Sequence, residues 1–297
     1  MNAENNILSK QHILPHLASD LTQGQSGSFS EQIFIYNSLE STNITAKEMA
    51  VSGTGKHGTV IIADFQSAGK GRCGKSFHSP AGHGLYISFI LDSAQIGFST
   101  PTLITAFAAV SVCDAIEAVS DKTPQIKWVN DVFLGEKKIC GILTESVTTP
   151  EVTTSERTAT QLVVLGIGIN FNTPATEFPE DLQHIAGSLF RAGTAPITRN
   201  HLTAELINRI LISGHRYSEH EMLAKYKQKM FLLGKNITVE ETDGNYDAIA
   251  VDIDDIGRLI IKKTDGEILT LSSGEVSVRD VGQRHRLRVN RDMVDGD

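Results

Sequence analysis

The feature that most constrains this chain is a series of short apolar runs between Ile33 and Ile169: IFIYNSL, TVIIADF, GLYISFIL, QIKWV, ICGILTES and QLVVLGIGI. Each has the length of a strand and is rich in the β-branched and aromatic side chains that fit a pleated surface. Helical patterns separate some of them. Thr42 to Val51 sets Ala, Lys, Glu and Met at helix spacing, and Pro101 to Val119 is a longer apolar helix opening on proline, whose missing N–H is harmless in a first turn. This mixture predicts an α/β (α+β) chain, a mixed β-sheet flanked by helices.

The flanks differ in texture. Before Phe34, Ile13, Leu14, Leu17 and Leu21 sit at helix spacing and are followed by TQGQSGSFS, which reads as a docking helix and linker over residues 1–32. A winged helix-turn-helix needs three helices and a hairpin, more than this segment holds, so no DNA-binding domain is expected. Leu202, Leu206, Ile210, Leu223, Tyr226 and Met230 recur at three- and four-residue intervals, giving a helical region from Arg199 to Phe231 that completes a domain spanning 33–232. After Gly234 come short strands, NITVEE, YDAIAVDI, GRLIIKK, EILTLSS and EVSVRD, with turn signals at Asp243-Gly244 and Asp265-Gly266. They predict a small β-barrel over 233–282. The charged, aperiodic residues 283–297 are expected to fray.

The balance of 27 basic against 35 acidic residues gives a net charge of −8, which argues against a sequence-independent grip on nucleic acid. Cys73, Cys113 and Cys140 are widely spaced and odd in number, the pattern of a reducing compartment. The N-terminus lacks a secretion signal, and no later run looks long enough to span a membrane, so the expected location is the cytoplasm.

Gly69-Lys70-Gly71-Arg72-Cys73-Gly74-Lys75-Ser76 satisfies both the phosphate loop GxxxxGK[ST] and the dinucleotide fingerprint GxGxxG. Both work through the free amides of a helix that starts at once, and here FHSPAGHGLYISFIL leads into a strand instead. A P-loop ATPase and a nicotinamide enzyme are therefore set aside. Three cations packed among three glycines still repel one another unless an anion is present, so the loop reads as an anion site. Gly141, Gly166 and Gly168 lie inside apolar strands, where glycine weakens packing. They suggest either a bulge or a ligand close to the backbone.

Ser41-Thr42-Asn43, Gln66 to Gly74, Lys127 to Asp131 (KWVND), Lys138 to Gly141 (KICG) and Gly166 to Asn170 together, and in this order, resemble a biotin protein ligase. The resemblance runs from about Ile33 to Asp280 and includes a C-terminal SH3-like barrel. It implies that biotin is activated by ATP, with Mg2+, to biotinyl-adenylate, and then passed to a lysine of a biotin carboxyl carrier protein. Such chemistry calls for fixed cations and amide donors more than for a protein nucleophile.

In this resemblance Arg72 and Lys138 are the catalytic residues, both reaching the biotin carboxylate and the phosphate; a guanidinium suits two parallel bonds to either group. Ser41, Thr42, Asn43, Gln66, Lys70, Gly71, Gly141 and Gly166 complete the biotin site. Gly69, Lys127, Asn130 and Asn170 join Lys70 and Arg72 around ATP, and Asp131 is the Mg2+ ligand. Read from local pattern alone, Ser41 to Asn43 cap the following helix, Asn130-Asp131 is a turn, and Phe77 and Trp128 are pocket walls or core. The family commonly writes arginine at Lys70 and Lys75, tryptophan at Phe77 and proline at Val129. The same fold serves lipoate ligases, whose His-Asp glycine motif is absent, and some relatives are biotin-sensing transcriptional regulators. Monomer and homodimer are both compatible with the sequence.

Overall fold

The structure, a computed structural model, describes residues 6–22, 29–98, 100–147, 162–213, 217–241 and 244–278. The chain divides into two compact units, Met1–Phe231 with Asp255–Gly257, and Leu232–Asp254 with Arg258–Asp297. The helices are α1 (Lys10–Ile13), α2 (Ser19–Thr22), α3 (Thr42–Ser52), α4 (Ser93–Ile96), α5 (Pro101–Val119), α6 (Arg199–Ser213) and α7 (Glu219–Lys229). In the first unit the strands are β1 (Ile33–Leu39), β2 (Thr59–Gln66), β3 (Gly84–Asp92), β4 (Gln125–Lys127), β5 (Asp131–Leu134), β6 (Lys137–Val147) and β7 (Leu162–Asn170).

These form one mixed seven-stranded sheet in the order β1-β2-β3-β7-β6-β5-β4. Only β1 and β2 run parallel, joined by the crossover helix that a parallel pair requires. Every residue of β3 is buried, as a central strand covered on both faces demands. The register sets Gly168 opposite both Tyr86 and Gly141, and Gly166 opposite both Ser88 and Leu143.

Side chains alternate along β6, so its two faces meet different helices. Thr144 hydrogen-bonds Thr105 of α5 at 2.8 Å, whereas Val147 packs with Ala46 and Ala50 of α3. The sheet is thus a layer between α3 and α5, with α6 and α7 packed on α5. By length and apolar composition α5 could cross a membrane, which corrects the expectation that no run approaches that length. It is the core helix instead, 72% buried, with Leu103 to Cys113 enclosed on every side.

The N-terminal segment also differs from the single helix expected. Pro15 has no N–H to continue an α-helix, so α1 stops at Ile13 and gives way to a 3-10 turn, Leu14–His16, before α2. The segment docks on α6 through backbone groups. Asn200 accepts from Ser9 N and donates to Ile7 O, and Asn208 does the same with Ala18 N and His16 O. Arg199 reaches further: its guanidinium holds Asn6 O, Gly84 O and, at 2.6 Å, the carboxylate of Asp64.

The second unit is antiparallel, with β8 (Asn236–Glu241), β9 (Gly244–Ile253), β10 (Leu259–Lys263), β11 (Ile268–Leu271) and β12 (Glu275–Val278) in the order β11-β10-β9-β8-β12. It buries Ile237, Val239, Ala250, Ile261 and Val276, the inward set of alternating strands. Asp265-Gly266 turns the chain between β10 and β11, and Gly266 needs its glycine because φ is +93°. Asp243, the residues of the expected linker at 23–28 and the tail from 283 lie outside the described residues.

Arg199 is 3% exposed and ties three segments. Replacing it by methionine leaves Asp64 without its cation and is expected to cost about 2–3 kcal/mol, read as a lower urea midpoint at unchanged slope.

Candidate active site

The site begins where β1 ends. Ser41 sits at the N-cap of α3 in extended conformation, yet its side chain makes no capping bond. This corrects the capping reading, because the helix start is used for something else. Thr42 N donates to Gln66 Oε1 at 2.8 Å, and Thr42 Oγ1 lies 3.1 Å from the same oxygen. Gln66 Nε2 in turn donates to Ser79 Oγ at 2.9 Å. The Ser88 hydroxyl lies 2.8 Å from Thr42 Oγ1 and 2.6 Å from Asn43 Oδ1. Asn43 Nδ2 donates to Glu145 Oε2 at 2.8 Å, and Lys47 closes the chain on the other oxygen of that carboxylate.

Burial opposes ionisation of Glu145, but hydrogen bonds from Lys47 and Asn43, with the fields of Lys47 and Lys70, outweigh it and hold the carboxyl below its ordinary value. The result is a buried wall of neutral polar groups backed by one fixed negative charge. Thr42, Asn43, Gln66 and Ser41 face a cleft completed by Lys70, Phe77, Tyr86, Gly141, Leu143, Gly166, Ile167 and Gly168.

The strand glycines are explained by protein side chains, not by a bulge. A methyl group at Gly166 would overlap Asn43 Oδ1. At Gly168 it would come within 2.6 Å of the Phe77 ring, and at Gly141 within 3.2 Å of the same ring. The glycines make the slot in which Phe77 lies and the space against which Asn43 is pressed. Tyr86 braces the ring edge-on at 6.4 Å and donates from its hydroxyl to Pro80 O. Burial raises the Tyr86 phenol far above its ordinary range, more than Arg199 lowers it, so the hydroxyl stays a donor.

No α-helix follows the Gly69–Ser76 loop; the described chain runs on to β3. The loop closes as a tight hairpin: Gly71 N donates to Lys75 O at 2.7 Å, Phe77 N donates to Gly69 O, and Lys70 bridges Ser76. A side chain at Gly69 would strike Phe77 O at 2.5 Å. From this hairpin Arg72 donates through Nη1 to Asn130 Oδ1 at 3.1 Å, and Asn130 Nδ2 holds Ile142 O. Beside them Lys138 Nζ lies 2.7 Å from Asp131 Oδ1 as an ion pair. Lys138 Nζ is carried at the mouth of the cleft, its Cε being 3.5 Å from where a Gly141 side chain would start. Tyr226 of α7 fixes the same turn by donating to Val129 O at 2.8 Å, which supplies rigidity where proline is absent.

Ser41, Thr42, Asn43, Gln66, Lys70, Gly141 and Gly166 therefore line the cleft, while Arg72 and Lys138 lie outside its lining, paired with the adjacent residues Asn130 and Asp131. Lys127 and Asn170 are not among its lining residues. Lys127 stands 5.7 Å from the centre of the Phe133 ring, and Asn170 donates to Gly187 O. Trp128 is core, 3% exposed. The sequence reading missed Ser88, Ser79, Tyr86, Lys47 and Glu145. Ser88 alone carried a signal, as a polar residue inside an apolar run. Among the described residues no three His, Cys, Asp or Glu side chains gather as a metal cluster. Asp131 is the carboxylate paired with Lys138.

A polar pocket beside a cationic hairpin on a mixed sheet marks an α/β domain with a candidate small-molecule site, and comparison with known proteins gives the family. Residues 35–170 match the biotin/lipoate A/B protein ligase family, and residues 232–279 match the biotin protein ligase C-terminal domain. The bifunctional ligase/repressor BirA of Bacillus subtilis is 33% identical over 243 residues, 80% of this chain and 71% of that protein. The biotin–[acetyl-CoA-carboxylase] ligase of Mycobacterium tuberculosis is 29% identical over 84% of this chain and 90% of its own. Among solved structures, the biotin protein ligase of Aquifex aeolicus in complex with biotin and ATP is similar with a TM-score of 0.68 and 27% identity, over 83% of this chain and 98% of that one. The chain belongs to the biotin protein ligase family.

Gly166→Ala forces a methyl into a hydrogen-bonded carboxamide and is expected to destabilise by about 1–3 kcal/mol. Gly141→Ala meets nothing nearer than a ring edge at 3.2 Å and should cost less. Thermal unfolding of the pair reads the order.

Proposed function

We propose that this chain is an ATP-dependent biotin ligase that makes biotinyl-adenylate and transfers biotin to a lysine of a biotin carboxyl carrier protein. The observation that carries the reading is the junction of two unlike environments. The wall of Thr42, Asn43 and Gln66 is uncharged and rich in hydrogen-bonding groups, as the ureido ring of biotin needs, while Arg72 and Lys138 pair with the adjacent residues Asn130 and Asp131, and Lys138 Cε comes within 3.5 Å of where a side chain would start on Gly141 of the cleft.

The first step forms a bond between a carboxylate oxygen of biotin and the α-phosphorus of ATP and breaks the bond to pyrophosphate. Arg72 and Lys138 hold the two anions together and offset the charge that grows on the phosphoryl oxygens. In the second step the carrier's amine attacks the acyl carbon, an amide forms, and AMP leaves with the bonding electrons. No side chain is acylated. Before substrates arrive both cations rest on protein oxygens, Arg72 on Asn130 and Lys138 on Asp131, so their directions are set beforehand. Asn130 and Asp131 would hold Mg2+, and one carboxylate suits an ion carried largely by the triphosphate. The ion would neutralise phosphate charge when bound.

Lys127 and Asn170 belong to this reading as residues near ATP; the net charge of −8 supports the lack of a nucleic-acid partner, and the free cysteines Cys73, Cys113 and Cys140 support a cytoplasmic setting. Incubation with ATP, magnesium, radiolabelled biotin and a biotin carboxyl carrier domain should label the carrier. Transfer of lipoate in place of biotin would overturn the proposal.

Two substitutions separate the roles of the cations. Lys138→Ala should slow adenylate formation by on the order of a hundredfold, measured as pyrophosphate release. Arg72→Gly removes charge-assisted bonds of about 1.5–3 kcal/mol and should speed loss of the adenylate from the enzyme by roughly ten- to a hundredfold, measured by trapping the released intermediate.

A further inference from the structure

We propose that Ser88 is a positioning residue for biotin: from the central strand β3 its hydroxyl holds in place both residues that open α3, Thr42 and Asn43, where they line the cleft. This rests on the biotin reading above and deepens it.

β3 is buried along its whole length, and Ser88 is fully enclosed within it. A hydroxyl in such a place costs free energy unless it is hydrogen-bonded. Ser88 spends its hydroxyl on the start of α3, donating to Thr42 Oγ1 at 2.8 Å and to Asn43 Oδ1 at 2.6 Å. Among the described residues it is the one side chain bonded to both. Thr42 is otherwise held by Gln66, and Asn43 turns its Nδ2 to Glu145, which leaves Oδ1 for Ser88.

The register places Ser88 opposite Gly166. Gly166 provides the room that the Asn43 carboxamide occupies, since a methyl group there would overlap Oδ1, and Ser88 provides that oxygen with a donor. Room and donor thus come from paired positions on two central strands. Ser88 also heads a series of bonds that all donate in one sense. Thr42 Oγ1 donates to Gln66 Oε1, Gln66 Nε2 to Ser79 Oγ, and Ser79 Oγ to Phe77 O at 2.9 Å, so the series runs from β3 across the wall to the hairpin.

Thr42 and Asn43 are each 4% exposed, so water has little access to replace a missing donor. Ser88→Ala leaves Asn43 Oδ1 without a hydrogen bond and Thr42 Oγ1 with Gln66 alone. The first turn of α3 can then shift against the sheet, and two groups of the wall move with it.

Biotin binding by the full chain, measured by titration calorimetry without ATP and below the onset of unfolding of every variant, tests this. Ser88→Ala should weaken binding about tenfold, the effect of leaving a buried polar group without its partner. In the steady state the loss should fall on KM for biotin and leave kcat within about twofold. Ser88→Cys keeps a weak donor in nearly the same place and should bind biotin with an affinity between the two. If Ser88→Ala does not fold, Ser88→Cys decides alone. Thr105→Val removes a comparable hydroxyl bond on the opposite face of the sheet, and should lower the melting temperature while leaving biotin affinity unchanged. Unaltered affinity in the deciding Ser88 variant, a loss carried by kcat, or an equal loss in Thr105→Val would overturn the proposal. Absence of biotin binding in the unaltered protein would instead overturn the biotin reading itself.

Discussion

Three positions on the two central strands of the first unit carry no side chain, and the site is built on that constraint. β6 and β7 pair so that Gly141 and Gly168 are opposite one another, with Gly166 two residues further along. A sheet interior normally fills such positions, and the loss of packing has to be offset by what enters the gap. Here two residues from other parts of the chain enter it. Phe77 comes from the hairpin and lies over the glycine pair, and Asn43 comes from the first turn of α3 and is pressed toward Gly166. One arrangement thus seats the ligand-facing helix start and the base of the cationic loop on the same strands.

From that base the site separates two electrostatic tasks. The wall of Thr42, Asn43 and Gln66 is neutral, and the Glu145 carboxylate behind it is bonded to Asn43 and paired with Lys47. That partly exposed carboxylate accepts from Asn43 Nδ2 and so turns the carboxamide oxygen toward Ser88. The second task is charge. Arg72 and Lys138 come from different segments and rest on two residues, Asn130 and Asp131, that are adjacent in sequence. The turn that carries them is anchored from behind by Tyr226, whose phenol burial keeps protonated and able to donate.

Much of this was legible in the residue pattern, and the exceptions share a cause. The strands of the sheet, the apolar helix α5 and the absence of a helix after the glycine-rich loop follow from period and composition, which act locally. The role of the glycines did not follow. Their neighbours Phe77 and Asn43 are distant in sequence, and the register of β3 with β7 and of β6 with β7 brings them together. Glu145 was equally hidden, since an acidic residue near the end of an apolar run reads as a solvent-facing position. The N-terminal segment failed for another reason: its apolar spacing is helical, but Pro15 interrupts the hydrogen bonds that spacing assumes.

The cation pairings also bear on how such a site avoids a high cost of preorganisation. A guanidinium and an ammonium held at close range repel one another, and the repulsion grows as water is removed. Lys138 and Asp131 are 30% and 21% exposed, so their pair keeps part of its solvation and is not an expensive buried ion pair. In the proposed reaction an arriving carboxylate or phosphate would replace one oxygen partner with another instead of entering an unscreened cationic pocket. The cations are paired without being isolated, and in the proposed reaction the binding free energy of the anion would be available to hold two like-charged reactants together.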